Sequence, residues 1–175
     1  KKGGQAFYSC LEYDSEIYFG SDNGRVWCYQ KGNGQFQLQN LPASSRIVSI
    51  NSVEGNELIF TTAKDGFFSY QPKTKAIEHF PASRFPNASI HSVYVDKASE
   101  VWFEQHIPGT VVHFNPRTRI LKQEKVPVEP TSTDRSRPAF HIHEDINGVL
   151  WVHPYGGGFS YFDRKSNSLH PFYNS

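Results

Sequence analysis

His141 and His143 alternate along one short run and His153 lies on the next. Three imidazoles on neighbouring strands, two of them on one face, could ligate zinc. No carboxylate or cysteine stands at a spacing that completes such a set, so neither a metal nor a cofactor is expected. A strand lining a polar central channel carries histidine for ordinary reasons. Cys10 and Cys28 lack metal-ligand spacing as well. One strand separates them, which at a neighbour spacing of ~4.8 Å puts them beyond disulfide reach. Both are expected to be free, buried thiols. No arginine triad, nucleophile elbow or pair of catalytic carboxylates can be placed, and the chain is not expected to be an enzyme.

The elements that must position these residues are short strands. Apolar residues make up only 37% of the 175, yet Phe (14), Tyr (9) and Trp (3) are abundant beside 13 Gly and 11 Pro. No window shows the 3.6-residue spacing of an amphipathic helix. Instead, β-branched and aromatic runs such as Phe7–Leu11, Leu58–Thr61, Val101–Phe103 and Val111–Phe114 are separated by Gly, Pro, Asn and Asp. That is the pattern of an all-β meander. The net charge of +1 argues against a nucleic-acid partner. No run of 18 apolar residues is present to form a membrane span, and no apolar stretch follows Lys1-Lys2-Gly3-Gly4. The sequence contains no Met, from which a piece of a longer protein is expected.

Internal repetition sets the architecture. Glu16-Ile17-Tyr18-Phe19, Glu57-Leu58-Ile59-Phe60, Glu100-Val101-Trp102-Phe103 and Val149-Leu150-Trp151-Val152 superpose, with centres 41, 43 and 49 residues apart. An aromatic follows each centre by 11 or 12 residues: Tyr29, Tyr70, Phe114 and Phe162. A glycine lies between the pair every time, at Gly24, Gly66, Gly109 and Gly157-Gly158. Polar turns such as Lys73-Thr74-Lys75 and Arg117-Thr118-Arg119 come next, then a fourth short run. Each repeat has the size of a four-stranded propeller blade. The expected fold is therefore an all-β β-propeller of about four blades of four antiparallel strands, at residues 6–42, 45–81, 88–127 and 137–175. A ring fragment is favoured over a closed four-bladed ring. A blade cannot bury both faces alone, so Trp102, Trp151 and their equivalents are expected between adjacent blades. In the last repeat the strands are expected at Ala139–Glu144, Leu150–His153, Phe159–Phe162 and Leu169–Phe172, with Asn147-Gly148 as a tight hairpin needing positive φ.

Ile142-His143-Glu144-Asp145-Ile146-Asn147-Gly148-Val149-Leu150-Trp151-Val152, followed by Gly157-Gly158-Phe159-Ser160-Tyr161-Phe162-Asp163, resembles the two-component-regulator propeller repeat. Val152-His153-Pro154 departs from that repeat's usual Ile-Gly-Thr. The third repeat keeps Asp96, Trp102, Gly109 and Phe114; the second keeps Gly66 and Tyr70; the first is the most degenerate. The resemblance implies a periplasmic (extracytoplasmic) sensor module of a hybrid two-component receptor, responding to glycan-derived oligosaccharides. Any kinase activity would reside in other parts of the parent protein. Ser21-Asp22-Asn23-Gly24 is similar to a sialidase Asp-box, but its Asp stands one residue early and the motif does not recur. Two other readings stay open: a non-catalytic protein-interaction scaffold, and a propeller hydrolase or lyase.

In a four-stranded meander the second-to-third-strand loops and the sheet-to-sheet connections emerge on one rim. The loops are expected at Gly20–Asn23, Thr62–Asp65, Glu104–Pro108 and His153–Gly157, and the connections carry Arg46, Arg84 and the stretch Lys125–Pro138 with Arg135 and Arg137. Lys64, Asp65, His106, His153 and Tyr155 are the expected ligand-binding residues, because sugar recognition combines an aromatic face with hydrogen-bonding groups. The expected partners are an oligosaccharide or other small ligand, the remaining blades and domains of the parent receptor, and a second copy, since the outer faces of the first and last blades are apolar. No membrane contact by this segment is expected.

Overall fold

Short β-branched and aromatic runs form sixteen strands among the described residues, and each pairs there with its sequence neighbours within one sheet. The computed structural model describes residues 6–86, 89–105, 110–126, 140–154 and 158–172. The first sheet holds β1 (Phe7–Tyr13), β2 (Glu16–Ser21), β3 (Val26–Gln30) and β4 (Gln35–Gln39). The second holds β5 (Ile47–Val53), β6 (Glu57–Thr62), β7 (Gly66–Gln71) and β8 (Ala76–Pro81), followed by a 3-10 turn at Ala82–Arg84. The third holds β9 (Ile90–Val95), β10 (Val101–Gln105), β11 (Thr110–Asn115) and β12 (Ile120–Lys125). The fourth holds β13 (Phe140–Glu144), β14 (Leu150–Pro154), β15 (Phe159–Asp163) and β16 (Ser168–Phe172). Every sheet is an antiparallel meander in sequence order, the architecture expected from the repeats. No helix among the described residues is long and apolar enough to cross a membrane.

The turns repeat as faithfully as the strands. Between the third and fourth strands of the four sheets, Gly34, Lys75, Arg119 and Asn167 all take a positive φ of 53° to 70°. In the first three turns that residue donates its N–H to the carbonyl four positions back, at 2.8 to 2.9 Å. Three of these four sites carry a side chain in the left-handed region, where an L-residue is disfavoured by ~1–2 kcal/mol and the surrounding ladder must hold it. The β13–β14 connection differs from the expected tight hairpin. It spans five residues, only Gly148 takes positive φ (80°), and the Asp145 carboxylate accepts from the N–H groups of Asn147 and Val149 at 2.9 Å.

Two compact units result, residues 1–90 and 91–175. In the first, Tyr18 on β2 is fully buried and meets Phe60 and Tyr70 of the second sheet at ring separations of 6.0 and 6.1 Å, the latter edge-on at 69°. In the second, Trp102 on β10 is fully buried and meets Phe162 of the fourth sheet at 4.8 Å and 75°. Phe140, Ile142, Leu150, Val152 and Leu169 belong to the same buried cluster. Trp102 also stacks on His113 at 4.3 Å.

The indole N–H cannot be buried unpaired. Trp102 donates it to Asp96 Oδ2 at 2.9 Å, while Asp96 Oδ1 accepts from the N–H groups of Ala98 and Glu100 at 2.9 Å. Trp151 and Asp145 repeat this bond at 3.0 Å. Arg164 then reaches from the fourth sheet to Asp96 (3.0 Å) and Glu144 (3.4 Å). The aspartate in the repeat is thus the turn's cap and the tryptophan's acceptor at once.

Three expectations need correction. Trp151 is only half-buried, unlike Tyr18, Ile59 and Trp102, because its face of the fourth sheet is uncovered among the described residues. Cys10 is exposed, whereas Cys28 is buried and burial pushes its thiol up to about 11. The pairing explains the difference: Cys10 lies opposite Phe19 and Cys28 opposite Tyr18, so the two thiols project from opposite faces of the first sheet. The second strands also run longer than expected, so Gly20 and Ser21 belong to β2, Thr62 to β6, and Glu104 and Gln105 to β10 rather than to the expected loops, while His153 lies in β14 within the expected strand Leu150–His153. The expected stretch 127–138, with Arg135 and Arg137, lies outside the described residues.

Asp96→Ala should lower stability by ~3–5 kcal/mol, because it strands the buried indole N–H and removes one of the carboxylates that Arg164 pairs with. The urea-unfolding midpoint reads this out. Asp145→Ala, at the half-buried equivalent, should shift the midpoint less.

Candidate functional site

At one end of the first unit, Ala63, Lys64 and Asp65 bridge β6 and β7, and residues 40–46 connect β4 to β5. The turn is tight because Gly66 takes φ +86°, and a Cβ there would stand 2.1 Å from the Phe80 carbonyl oxygen. Thr62 Oγ1 donates to the Gly66 carbonyl and accepts from the Asp65 N–H, both at 2.8 Å. The Asp65 carboxylate then ties the two loops together. It accepts from the N–H and hydroxyl of Ser44 and of Ser45, at 2.8 to 2.9 Å. Partial burial works against the charged form, but the Ser44 and Ser45 bonds outweigh it and hold the carboxyl below its ordinary range.

On this floor lies an open pocket of about 600 Å³ lined by Tyr8, Asp22, Ser44, Ser45, Arg46, Ala63, Lys64 and Asp65. The Arg46 guanidinium lies over the Tyr8 ring at 5.1 Å, and Tyr8 is 56% exposed. The Lys64 side chain is exposed and has no partner among the described residues, while its own N–H donates to Ser45 Oγ at 3.0 Å. The pocket therefore presents an aromatic ring, two cations and the exposed Asp22 carboxylate around a rigid polar base. Such a surface can stack a ring and hydrogen-bond hydroxyls.

Of the expected site residues, Lys64 and Asp65 come together here, with Asp65 as scaffold rather than contact. Tyr8 is not among the expected residues, since it lies far from residue 64 in sequence and the packing of β1 against β5 of the next sheet brings it near. The Tyr-Arg pair leaves no local signal. His106 and Tyr155 lie outside the described residues.

His153 occupies different ground in the second unit. It pairs across the ladder with His141, at 6.5 Å between rings, and stacks on Phe159 at 4.8 Å. Both histidines line an open, largely apolar pocket of about 720 Å³ with His143, Asp145, Trp151, Gly158, Phe159 and Phe172. His153 Nδ1 is buried without a partner among the described residues. No cluster of three metal-ligating side chains forms among the described residues. Asp145 is held below the ordinary carboxylate range by Trp151 Nε1 and by the N–H groups of Val149 and Asn147.

No protein-family model and no curated protein matches the chain. Solved structures do match. Virginiamycin B lyase from Staphylococcus aureus superposes with TM-score 0.69 at 14% identity, over 96% of this chain and 55% of that one. The four sheets are propeller blades. The extracellular domain of a protein described as a hybrid two-component system of Bacteroides thetaiotaomicron gives TM-score 0.65 at 11% identity, over 96% of this chain and 24% of that one. An auxiliary nutrient binding protein from the same organism gives 0.59 at 12% identity, over 97% and 40%. The chain thus spans from about a quarter to about half the length of these structures.

Asp65 carries a pH signature. Its folded pKa lies below the unfolded value of about 3.9, so its stabilisation is fully present above that pH and is lost as pH falls through the folded pKa. The difference in urea midpoint between the wild type and Asp65→Ala should be constant at neutral pH and should shrink below about pH 4. A difference independent of pH would contradict the assignment.

Proposed function

We propose that this chain is the ligand-sensing propeller module of an extracytoplasmic two-component receptor, and that it binds glycan-derived oligosaccharides at the Tyr8–Arg46–Lys64 pocket. The observation that carries the reading is the pocket's construction. A sugar ring offers one apolar face and a rim of hydroxyls, and the pocket sets an exposed tyrosine beside two cations and a carboxylate. The base is preorganised by the four Asp65 bonds, so little ordering is required on binding. The repeat resemblance and the shared fold with an extracellular two-component domain and an auxiliary nutrient binding protein support the same role. On this reading the chain binds without turnover, it lies in the periplasm, and phosphotransfer belongs to other parts of the parent receptor.

Calorimetry against a panel of oligosaccharides tests the proposal. At least one sugar should bind the 175-residue chain without being consumed. Tyr8→Ala and Arg46→Ala should each weaken that binding roughly tenfold, about 1.4 kcal/mol. Lys73→Ala, in a turn between β7 and β8, should leave it unchanged. Absence of binding across the panel, or loss with Lys73→Ala but not with the pocket variants, would overturn the site. Consumption of the sugar would favour the lyase or hydrolase reading.

A further inference from the structure

We infer that the face of the fourth blade left uncovered among the described residues, centred on Trp151, is a docking seat for the outer face of the first blade of a second copy of this chain. The argument rests on the two blade-to-blade seams already present inside the units. In each, an aromatic on the second strand of one blade receives, edge-on, the third-strand aromatic of the following blade. Tyr18 receives Tyr70 at 69° and Trp102 receives Phe162 at 75°. Trp151 occupies the position of Trp102, and Tyr161, paired with it across the ladder, occupies that of His113. Yet Trp151 is half-buried and opens onto the largely apolar pocket.

The complementary half-seam is also on the molecule. By register, Tyr29 on β3 is the equivalent of Phe162, and Phe36, its cross-strand partner, is the equivalent of Leu169. Phe162 and Leu169 are buried in the second unit's core, whereas Phe36 is 60% and its neighbour Leu38 45% exposed. Cys10 stands where buried Ile142 stands, and it too is exposed.

Charge complements shape. Arg164, two residues beyond Phe162, reaches back over the seam to Asp96, the acceptor of the Trp102 indole. Lys31, which pairs with Glu12 within its own blade as Arg164 pairs with Glu144, holds the same place two residues beyond Tyr29, and Asp145 is the acceptor of the Trp151 indole. Seat and insert therefore correspond in the crossed aromatic pair and in the placement of the cation and the carboxylate. Such a contact is heterologous: each copy presents one seat and one insert, so copies join head to tail.

Sedimentation equilibrium of the 175-residue chain tests this directly. The wild type should associate beyond the monomer at concentrations of ~100 μM, and the exposed Cys10 thiol should become protected from alkylation as concentration rises. Trp151→Ala removes the seat and Phe36→Asp the insert, so each alone should remain a monomer with reactive Cys10. Their equimolar mixture holds one intact seat and one intact insert and should regain association. Phe36 is exposed, so that substitution should leave the fold in place, which an unchanged circular dichroism spectrum would show. A wild type that stays monomeric would overturn the inference, whether Cys10 is then reactive or is protected at every concentration by closure within one chain. Variants that still associate alone, or a mixture that does not, would overturn it equally.

Discussion

A single-layer sheet with aromatic residues on both sides has no solvent face, and the contact that resolves this is the edge-on meeting of two rings between successive blades. Trp102 with Phe162 and Tyr18 with Tyr70 are the two examples within the units. Edge-on geometry places the positive rim of one ring against the negative face of the other, worth ~0.5–1.5 kcal/mol beyond the area buried. It also fixes how far one sheet can slide over the next. The aliphatic residues around the pair, such as Leu150, Val152 and Leu169, fill the space that the crossed rings leave.

Because the tryptophan must be buried, its N–H dictates the polar hardware. Asp96 supplies the acceptor and at the same time caps the turn that aims β10. A carboxylate buried for that purpose needs its own counter-charge, which Arg164 delivers from the following blade. Arg164 also approaches Glu144 at 3.4 Å and Glu100 at 4.0 Å, so one cation serves three carboxylates. Removing any single member would leave a charge or a donor stranded, and the motif is therefore best understood as one unit. The rim loops follow a related economy: Asp65 spends its oxygens on Ser44 and Ser45, leaving Tyr8, Arg46 and Lys64 to face outward.

Much of this was legible before any coordinates. The repeat of Tyr18, Ile59, Trp102 and Trp151 with an aromatic 11 or 12 residues on gave four blades and their strand order, because period-2 alternation and turn chemistry are local. Burial of Trp102 followed from the same reasoning. The exposure of Cys10 did not, since alternation says that two residues lie on opposite faces but not which face is covered. The same gap misplaced Trp151. Of the rim, Lys64 and Asp65 were visible as loop residues, but the role of Asp65 as a tie between loops depends on Ser44 and Ser45, 20 to 21 residues away. Tyr8 joins the pocket only through tertiary packing. His153 closes the expected strand Leu150–His153 and opens the expected loop His153–Gly157, and of these two placements β14 keeps the strand one, on the blade face beside Phe159.

The claim that crossed aromatic pairs hold successive blades together is tested most directly by a double-mutant cycle on Trp102 and Phe162. Trp102→Leu, Phe162→Leu and the double variant are compared with the wild type by urea unfolding. If the ring contact carries the seam, the double variant will be less destabilised than the sum of the single variants by ~0.5–1.5 kcal/mol. Additivity within ~0.3 kcal/mol would mean that the two rings merely fill space, and would contradict the account.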